Sequence, residues 1–322
     1  MSQQAVYKTA EALPDAYPDA YPDAYIGIDI GGTKMASALV DVSTGKILCE
    51  TQMATQKQRS KKDIIADIQK LLVHHLEFAS LKSIPVKGCG IAFPELVNSD
   101  GKIVSDWNFD LRSLSQSDFP LENVLFESDV RVAGLAEATL GAGKDHQSFV
   151  YVSLGTGLSY TLFNNGKPWR GKNGYAIHFA SNTLTACTPD LRAVNYLPEA
   201  LVSGSGLLNC WNMSHPDQRY NTLPELLTKA ELSIGEERQY IKLASEVLGS
   251  LLAQMVNMLD PEAIVMGGGL GCAHNIYHMF MEVTLRDRIW AEECQNIPIY
   301  KAKFGHRSGT VGAALAIAEH MS

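Results

Sequence analysis

Basic residues are scarce in this chain, and its cysteines do not come in pairs. Of 322 residues, Lys and Arg supply 27 against 35 Asp and Glu, for a formal charge of −8. An acidic chain without basic runs is poorly suited to nucleic acid. Cys49, Cys89, Cys187, Cys210, Cys272 and Cys294 are scattered without a C-x-x-C spacing. That argues against a disulfide framework or a thiolate zinc site and for a reducing compartment. No apolar run nears the length of a membrane span, and no basic stretch followed by an apolar one marks a secretory signal. These absences lead to the expectation of a soluble cytoplasmic protein, long enough for two ordinary domains.

Residues 1–24 stand apart. Pro14-Asp15-Ala16-Tyr17 recurs as Pro18–Tyr21 and Pro22–Tyr25. Prolines at this period block a regular helix, and the segment has little to bury, so a flexible or extended leader is expected to run into the first strand.

The most informative stretch follows at once: Tyr25-Ile26-Gly27-Ile28-Asp29-Ile30-Gly31-Gly32-Thr33-Lys34. An apolar strand carries the carboxylate of Asp29 into a glycine turn. Without Cβ atoms, Gly31 and Gly32 let backbone N–H groups approach an anion, while Thr33 adds a hydroxyl and Lys34 a positive charge. A carboxylate beside a phosphate calls for a cation between them, and a hard divalent ion such as Mg²⁺ fits. A plain Gly-Gly hairpin turn is the alternative. The spacing is neither a G-x-G-x-x-G loop nor a P-loop.

Strands are expected over Ile26–Ile30, Met35–Val42 and Ile47–Met53, then a helix over Lys61–Phe78 with Ile64, Ile65, Ile68, Leu71, Leu72 and Leu76 on one face. His74 and His75 on that helix read as surface residues. Val86–Ala92 and Val124–Glu127 return as strands, and a helix over Val132–Leu140 places Asp129 where strand hands over to helix. Ligands collect at such carboxyl ends in open α/β sheets. The second half repeats the pattern: Phe149–Leu154 enters Gly155-Thr156-Gly157, and Ala263–Met266 enters Gly267-Gly268-Gly269 after a long amphipathic helix ending at Asp260-Pro261. Trp169, Tyr175 and Trp211 read as packing residues. Gly309–His320 reads as an Ala-rich helix, and His306-Arg307 as either a nucleotide contact or a loop charge.

In order, these landmarks resemble the ROK family of sugar kinases within the actin-like ATPase superfamily, over nearly all of the chain from Tyr25. Asp29-Ile30-Gly31-Gly32-Thr33-Lys34, Glu127-Ser128-Asp129, Leu154-Gly155-Thr156-Gly157 and Val265-Met266-Gly267-Gly268-Gly269 carry the resemblance. It implies an α/β fold of two actin-like (ribonuclease H-like) domains with a nucleotide cleft: 25–128 plus 309–322 as one, 129–308 as the other. It implies ATP and Mg²⁺, with Asp29 reaching the metal through water. Gly31, Gly32, Thr33 and Lys34 would form the first phosphate loop, and Gly155, Thr156 and Gly157 the second. Gly267, Gly268 and Gly269 would lie along adenosine. Asp129 would be the base that takes the proton of a primary hydroxyl attacking the γ-phosphate; as a helix N-cap it has an alternative structural role.

The hydroxyl-reading positions depart from the family. Ser128 stands where Asn is usual and Arg131 where a second Asn is. Glu95 replaces the glycine of an Ile-Pro-Gly turn. Where the family reads Gly-x-Ala-Gly-Glu-x-Gly-His, this chain has Gly174-Tyr175-Ala176-Ile177-His178-Phe179-Ala180-Ser181, so His178 takes the place of a sugar-gripping Glu and Ser181 that of a zinc ligand. An atypical member without the zinc motif is therefore expected. Glu199 and Asn108 match sugar-contacting positions. With Glu95, Asn108, Ser128, Asp129, His178 and Glu199 facing it, the substrate is expected to be a modified or amino-hexose (kanosamine-like), Glu95 meeting the ammonium. A valiolone-type cyclitol, a glucokinase-like activity or a non-catalytic sugar sensor are the alternatives. The family's repressors add a DNA-binding domain, for which the acidic leader is too short. No nucleic-acid or membrane partner is expected, and a homodimer is open.

Overall fold

The computed structural model describes residues 6–8, 23–55 and 60–322; most of the proline repeat lies outside them. The chain divides into two compact units, the first taking Met1–Asp145, Phe163–Ala176 and His306–Ser322, the second His146–Leu162 and Ile177–Gly305. The junction of Ser128 with Asp129, expected as a domain boundary, lies inside the first unit.

The first unit is built on a six-stranded sheet of β1 (Val6–Lys8), β2 (Ala24–Ile30), β3 (Lys34–Asp41), β4 (Lys46–Ala54), β5 (Val86–Phe93) and β6 (Val124–Ser128), in the order β1-β4-β3-β2-β5-β6. The meander β2–β3–β4 is antiparallel, and β5 and β6 join it parallel. Val6–Lys8, within the expected leader, pairs antiparallel with the outer edge of β4. The β-branched run Ile26, Ile28 and Ile30 is completely buried, as a central strand covered on both faces requires. Helix α1 (Lys61–Leu81) starts at Ser60, whose hydroxyl accepts from the Asp63 N–H, and packs through Ile64, Ile68, Leu71, Leu72, His75 and Ala79. That stripe keeps the 3–4 spacing of one helix face, and His75 belongs to it. Reading His75 as a surface residue was wrong, because its position relative to Leu71 and Leu72 outweighs its polarity. Helix α2 (Asp129–Leu140) follows β6 without a loop.

The second unit opens with β7 (Ser148–Leu154) and β8 (Leu158–Asn164); the tip of β8 and its partner β9 (Lys167–Pro168) count with the first unit. An exposed hairpin of β10 (Leu184–Cys187) and β11 (Ala193–Tyr196) comes next. Helices α3 (Pro198–Val202), α4 (Gly204–Ser214), α5 (Leu223–Leu232) and α6 (Glu236–Leu259) follow, then β12 (Ala263–Gly267), α7 (Gly268–Gly271), α8 (Ile276–Arg288) and β13 (Ile299–Lys301). β12 runs parallel between β7 and β13. Its core gathers Val150, Val152, Leu154, Trp211, Leu248, Leu252 and Tyr277. α6 ends as expected at Asp260, which adopts a left-handed conformation (φ 45°) before Pro261. Its buried stripe runs through Ile241, Ala244, Ser245 and Leu248, and Leu243 is exposed. Helix α8 has no counterpart among the expected elements.

The chain returns to the first unit as α9 (Ser308–Met321), the expected Ala-rich helix. Small residues let it lie directly on the sheet: a Cβ on Gly27 would sit 1.8 Å from the Thr310 carbonyl oxygen, on Gly90 1.9 Å from that of Ala313, and on Gly312 1.7 Å from that of Val132 in α2. Backbone cannot turn aside as a side chain can, so these contacts fix the helix height. Among the described residues no helix is long and apolar enough to cross a membrane.

Gly90→Ala is expected to lower the urea midpoint, with a loss of about 1–3 kcal/mol or more, as overpacking against immovable atoms does. An unchanged midpoint would mean that α9 does not press on β5 as described.

Candidate functional site

In the first unit the expected phosphate loop is a tight link between β2 and β3. The Gly31 N–H donates to the Lys34 carbonyl at 2.9 Å, and the Thr33 carbonyl accepts from the Thr55 N–H at 2.9 Å, tying the link to the end of β4. Asp29 is the penultimate residue of β2, its carboxylate lying against Gly309 in the first turn of α9, where a Cβ would come within 2.3 Å of it. A helix N-terminus is a favourable place for a carboxylate. Burial nevertheless raises the Asp29 pKa to about 7, reinforced by the charge of Asp129 and opposed by Lys34.

Asp129 is the first residue of α2. Its Oδ1 accepts from the Val130 N–H at 2.6 Å and from the Ser128 hydroxyl at 3.5 Å. Burial lifts its pKa to about 6; Val130, Arg131 and Ser128 hold it down, and Glu95 adds to the rise. Both carboxylates thus stand above the usual range because burial disfavours their charged forms, and a cation beside them would favour those forms. The donor set, two carboxylates beside a loop of backbone N–H groups, suits a hard divalent ion.

Glu95 is fully committed elsewhere. Its buried carboxylate accepts from the Ser105 hydroxyl and from the N–H groups of Trp107 (3.0 Å), Asn108 (2.5 Å) and Phe109 (3.0 Å). It shapes the 105–109 loop, so the expectation that it meets a substrate ammonium loses its basis. Asn108 is set by the same loop, its Nδ2 donating to the Pro94 carbonyl at 2.8 Å. Ser128 is completely buried, its N–H held by Glu127 Oε1 at 2.7 Å.

Arg131, where the family pattern has Asn, is also buried. Its Nε donates to Glu127 Oε1 at 2.7 Å, and its other nitrogens to the carbonyls of Val97 (2.8 Å) and Gly174. Gly174 has φ +87° and no room for a Cβ beside Val97, so the residue there must be glycine. Arg170 reaches the other oxygen of Glu127. Sequence reasoning quoted Glu127 only as part of a motif and gave this network no role. The available signal was the pairing of Glu127 with Arg131 at i, i+4. Trp169 and Tyr175, read as packing residues, are exposed, while Trp211 is buried as expected.

In the second unit, Gly155-Thr156-Gly157 links β7 to β8. The Gly155 carbonyl accepts from the Gly204 N–H at 2.8 Å, and the Thr156 carbonyl from both the N–H (3.3 Å) and the hydroxyl of Ser205, in the first turn of α4. Gly155 approaches the Gly269 nitrogen, and Gly268 (φ +78°) packs on the Leu154 carbonyl, so the two glycine turns lie together. A Cβ on Gly157 would come 2.7 Å from Glu199 Oε1, which also accepts from the Leu158 N–H at 3.0 Å. The other oxygen of Glu199 accepts from the Ser181 hydroxyl at 2.7 Å, and Ser181 Oγ lies 3.2 Å from His178 Nδ1. Ser181 has one proton; giving it to Glu199 makes His178 Nδ1 the donor and leaves Nε2 as an acceptor. Burial lowers the His178 pKa, opposed by Glu199. Thus Gly155, Thr156, Gly157, His178, Glu199, Gly268 and Gly269 come from four separated segments to one region.

Arg307 resolves as an ion pair: its Nε and Nη2 both reach the Glu50 carboxylate at 2.8 Å.

The expectation that the chain lacks residues for a zinc-type site needs correction. Cys49 on β4 and His74 and His75 on α1 each bring a ligand atom within 4.8 Å of the others. The cluster lies in the first unit, not in the 174–187 segment where ligands were sought. Burial pushes the Cys49 thiol up to about 11 and, with the neighbouring His74, the His75 imidazole down to about 3. Spacing along the chain cannot reveal ligands that meet only when a helix packs on a strand.

The family model described as "ROK family" matches residues 25–320. The N-acetylgalactosamine kinase of Shewanella sp. (strain ANA-3) is 29% identical over 308 residues, covering 90% of this chain and 95% of the kinase. The xylose repressor of Bacillus subtilis (strain 168) is 22% identical, covering 92% of this chain and 77% of the repressor. Among solved structures, a ROK family glucokinase from Streptomyces griseus in complex with glucose and AMPPNP superposes with a TM-score of 0.74 at 23% identity, covering 92% of this chain and 99% of that one. The two-unit α/β architecture is therefore the actin-like fold of these proteins, and this chain belongs to the ROK family.

Proposed function

We propose that the protein is a cytoplasmic ATP-dependent kinase that phosphorylates the primary hydroxyl of a hexose-like sugar, with Asp129 as general base. The observation that carries this reading is the pair Asp29 and Asp129, both with raised pKa, standing beside Lys34 and a glycine loop. A base titrating near 6 is deprotonated at neutral pH yet basic enough to draw a proton from an alcohol as its oxygen attacks. Asp29 would hold Mg²⁺ through water, and the ion would neutralise charge on the transferring phosphates. Gly31, Gly32, Thr33 and Lys34 in the first unit, and Gly155, Thr156 and Gly157 in the second, would offer N–H groups to the phosphates. Gly267, Gly268 and Gly269 would admit adenosine against the backbone. Phosphoryl transfer depends chiefly on such alignment and charge placement.

On the sugar side, Asn108 and the chain His178–Ser181–Glu199 would read hydroxyls. With Glu95 withdrawn to the 105–109 loop, a neutral hexose or N-acetylated hexosamine fits better than a free amino-sugar. The kinase relative named for N-acetylgalactosamine agrees with this reading. The repressor relative keeps a sugar-binding, non-catalytic reading open to test.

ATP consumption with Mg²⁺ across glucose, mannose, N-acetyl-hexosamines, free amino-hexoses and cyclitols tests the proposal. Selective turnover of a hexose or N-acetyl-hexosamine is expected; sugar binding without turnover would favour the sensor. Asp129→Ala is expected to lower kcat by about 10²–10⁴-fold with ATP affinity preserved, and near-wild-type turnover would remove Asp129 as the base. Because only the deprotonated carboxylate accepts the proton, kcat/KM should fall about tenfold per unit as pH drops below about 6 and level off above it. A limb of that slope surviving in Asp129→Ala would assign the titration to another group.

A further inference from the structure

The cluster of Cys49, His74 and His75 contains none of the residues assigned to substrate or nucleotide, and its ligand atoms lie within 4.8 Å of one another. β3 and β4 pair so that Leu39 faces Cys49 and Ser37 faces Thr51. α1 covers this face and brings two consecutive histidines over it, their rings edge-to-face with centroids 5.2 Å apart. His74 Nε2 stands 3.8 Å from Cys49 Sγ. In a tetrahedral zinc site with Zn–S of about 2.3 Å and Zn–N of about 2.0–2.1 Å, sulfur and nitrogen are separated by about 3.5 Å. The observed spacing is therefore close to one edge of such a tetrahedron.

His75 supplies the independent sign of a ligand. Its side chain is completely buried. Nε2 lies 2.8 Å from the Ser37 hydroxyl, and Nδ1 is buried without a hydrogen-bond partner. A buried imidazole nitrogen left unmatched is unfavourable, because it has given up water and gained no partner. When Ser37 accepts the Nε2 proton, Nδ1 presents a lone pair, the arrangement in which an outer hydroxyl orients a metal-binding histidine. Thr51, two residues beyond Cys49 on the same strand face, also has a buried hydroxyl without a partner. It is suited to a water completing the fourth position.

We propose that Cys49, His74 and His75 bind a divalent ion of the zinc type that pins α1 to β4. One thiolate and two imidazoles favour this class over Mg²⁺ or Ca²⁺, which prefer oxygen. On binding, the Cys49 thiol releases its proton to solvent and the sulfur forms the metal bond, while both imidazoles bind as neutral ligands. The ion fixes the strand that ends beside Thr55, whose N–H holds the Thr33 carbonyl. The site stands independently of the kinase reading.

The test is titration of chelator-stripped full-length protein with Co²⁺ as a spectroscopic probe, followed by Zn²⁺ displacement. The expected result is one equivalent of Co²⁺ with a thiolate-to-cobalt charge-transfer band, bleached by Zn²⁺, and a higher Tm with Zn²⁺. Cys49→Ser should abolish the band, His74→Gln should abolish or greatly weaken it, and Cys187→Ser should leave it intact. A wild-type protein that shows no band with stoichiometric Co²⁺ overturns the proposal. So does a band that survives in both Cys49→Ser and His74→Gln, since the metal would then be held elsewhere. Half-buried His74 serves as the second variant should replacement of buried Cys49 disturb folding.

Discussion

The buried ion pair of Glu127 and Arg131 governs the geometry around Asp129. One carboxylate, at the end of β6, holds the Ser128 N–H, the Arg131 guanidinium and Arg170. Arg131 in turn draws in the carbonyls of Val97 and Gly174, so two loops far apart in sequence close over the start of α2. A buried pair contributes little net stability when whole, but removing either partner strands a charge and costs about 3–5 kcal/mol. Its value here is positional: Asp129 keeps a fixed direction because the residues on both sides of it are tied to this network.

A second constraint is the way glycine is spent. In the first unit, Gly27, Gly90 and Gly312 let α9 touch sheet and helix backbone directly, placing Gly309 against Asp29. In the second, the carbonyls of Gly155 and Thr156 are taken up by the first turn of α4. The same absence of Cβ atoms thus serves helix-on-sheet packing in one unit and close contact between turns in the other. Raised pKa values at Asp29 and Asp129 follow from the first arrangement, since burial disfavours their charged forms before any cation is considered.

Legibility followed the range of the interactions. The β2–β3–β4 meander, the handover at Asp129 and the three strand-to-glycine turns were readable because each depends on neighbours in sequence. The fate of Glu95 was not, since its four donors come from a loop ten to fourteen residues on. Nor was the joining of His178 to Glu199 through Ser181, which needs α3 to pack beside the segment that follows β9. His75 was misread because a polar side chain on a helix is usually solvated, and its partner Ser37 is thirty-eight positions away.

By itself the sequence determined the α/β pattern, the glycine loops and the family to which the chain belongs, because strand periodicity and turn chemistry are local. Only the tertiary structure decided which polar groups remain for chemistry. It satisfied Glu95 within a loop, buried Arg131 against Glu127, and set Cys49 beside two histidines. Those outcomes depend on which elements pack together, and a side chain's hydrogen-bonding capacity is assigned only when its neighbours arrive.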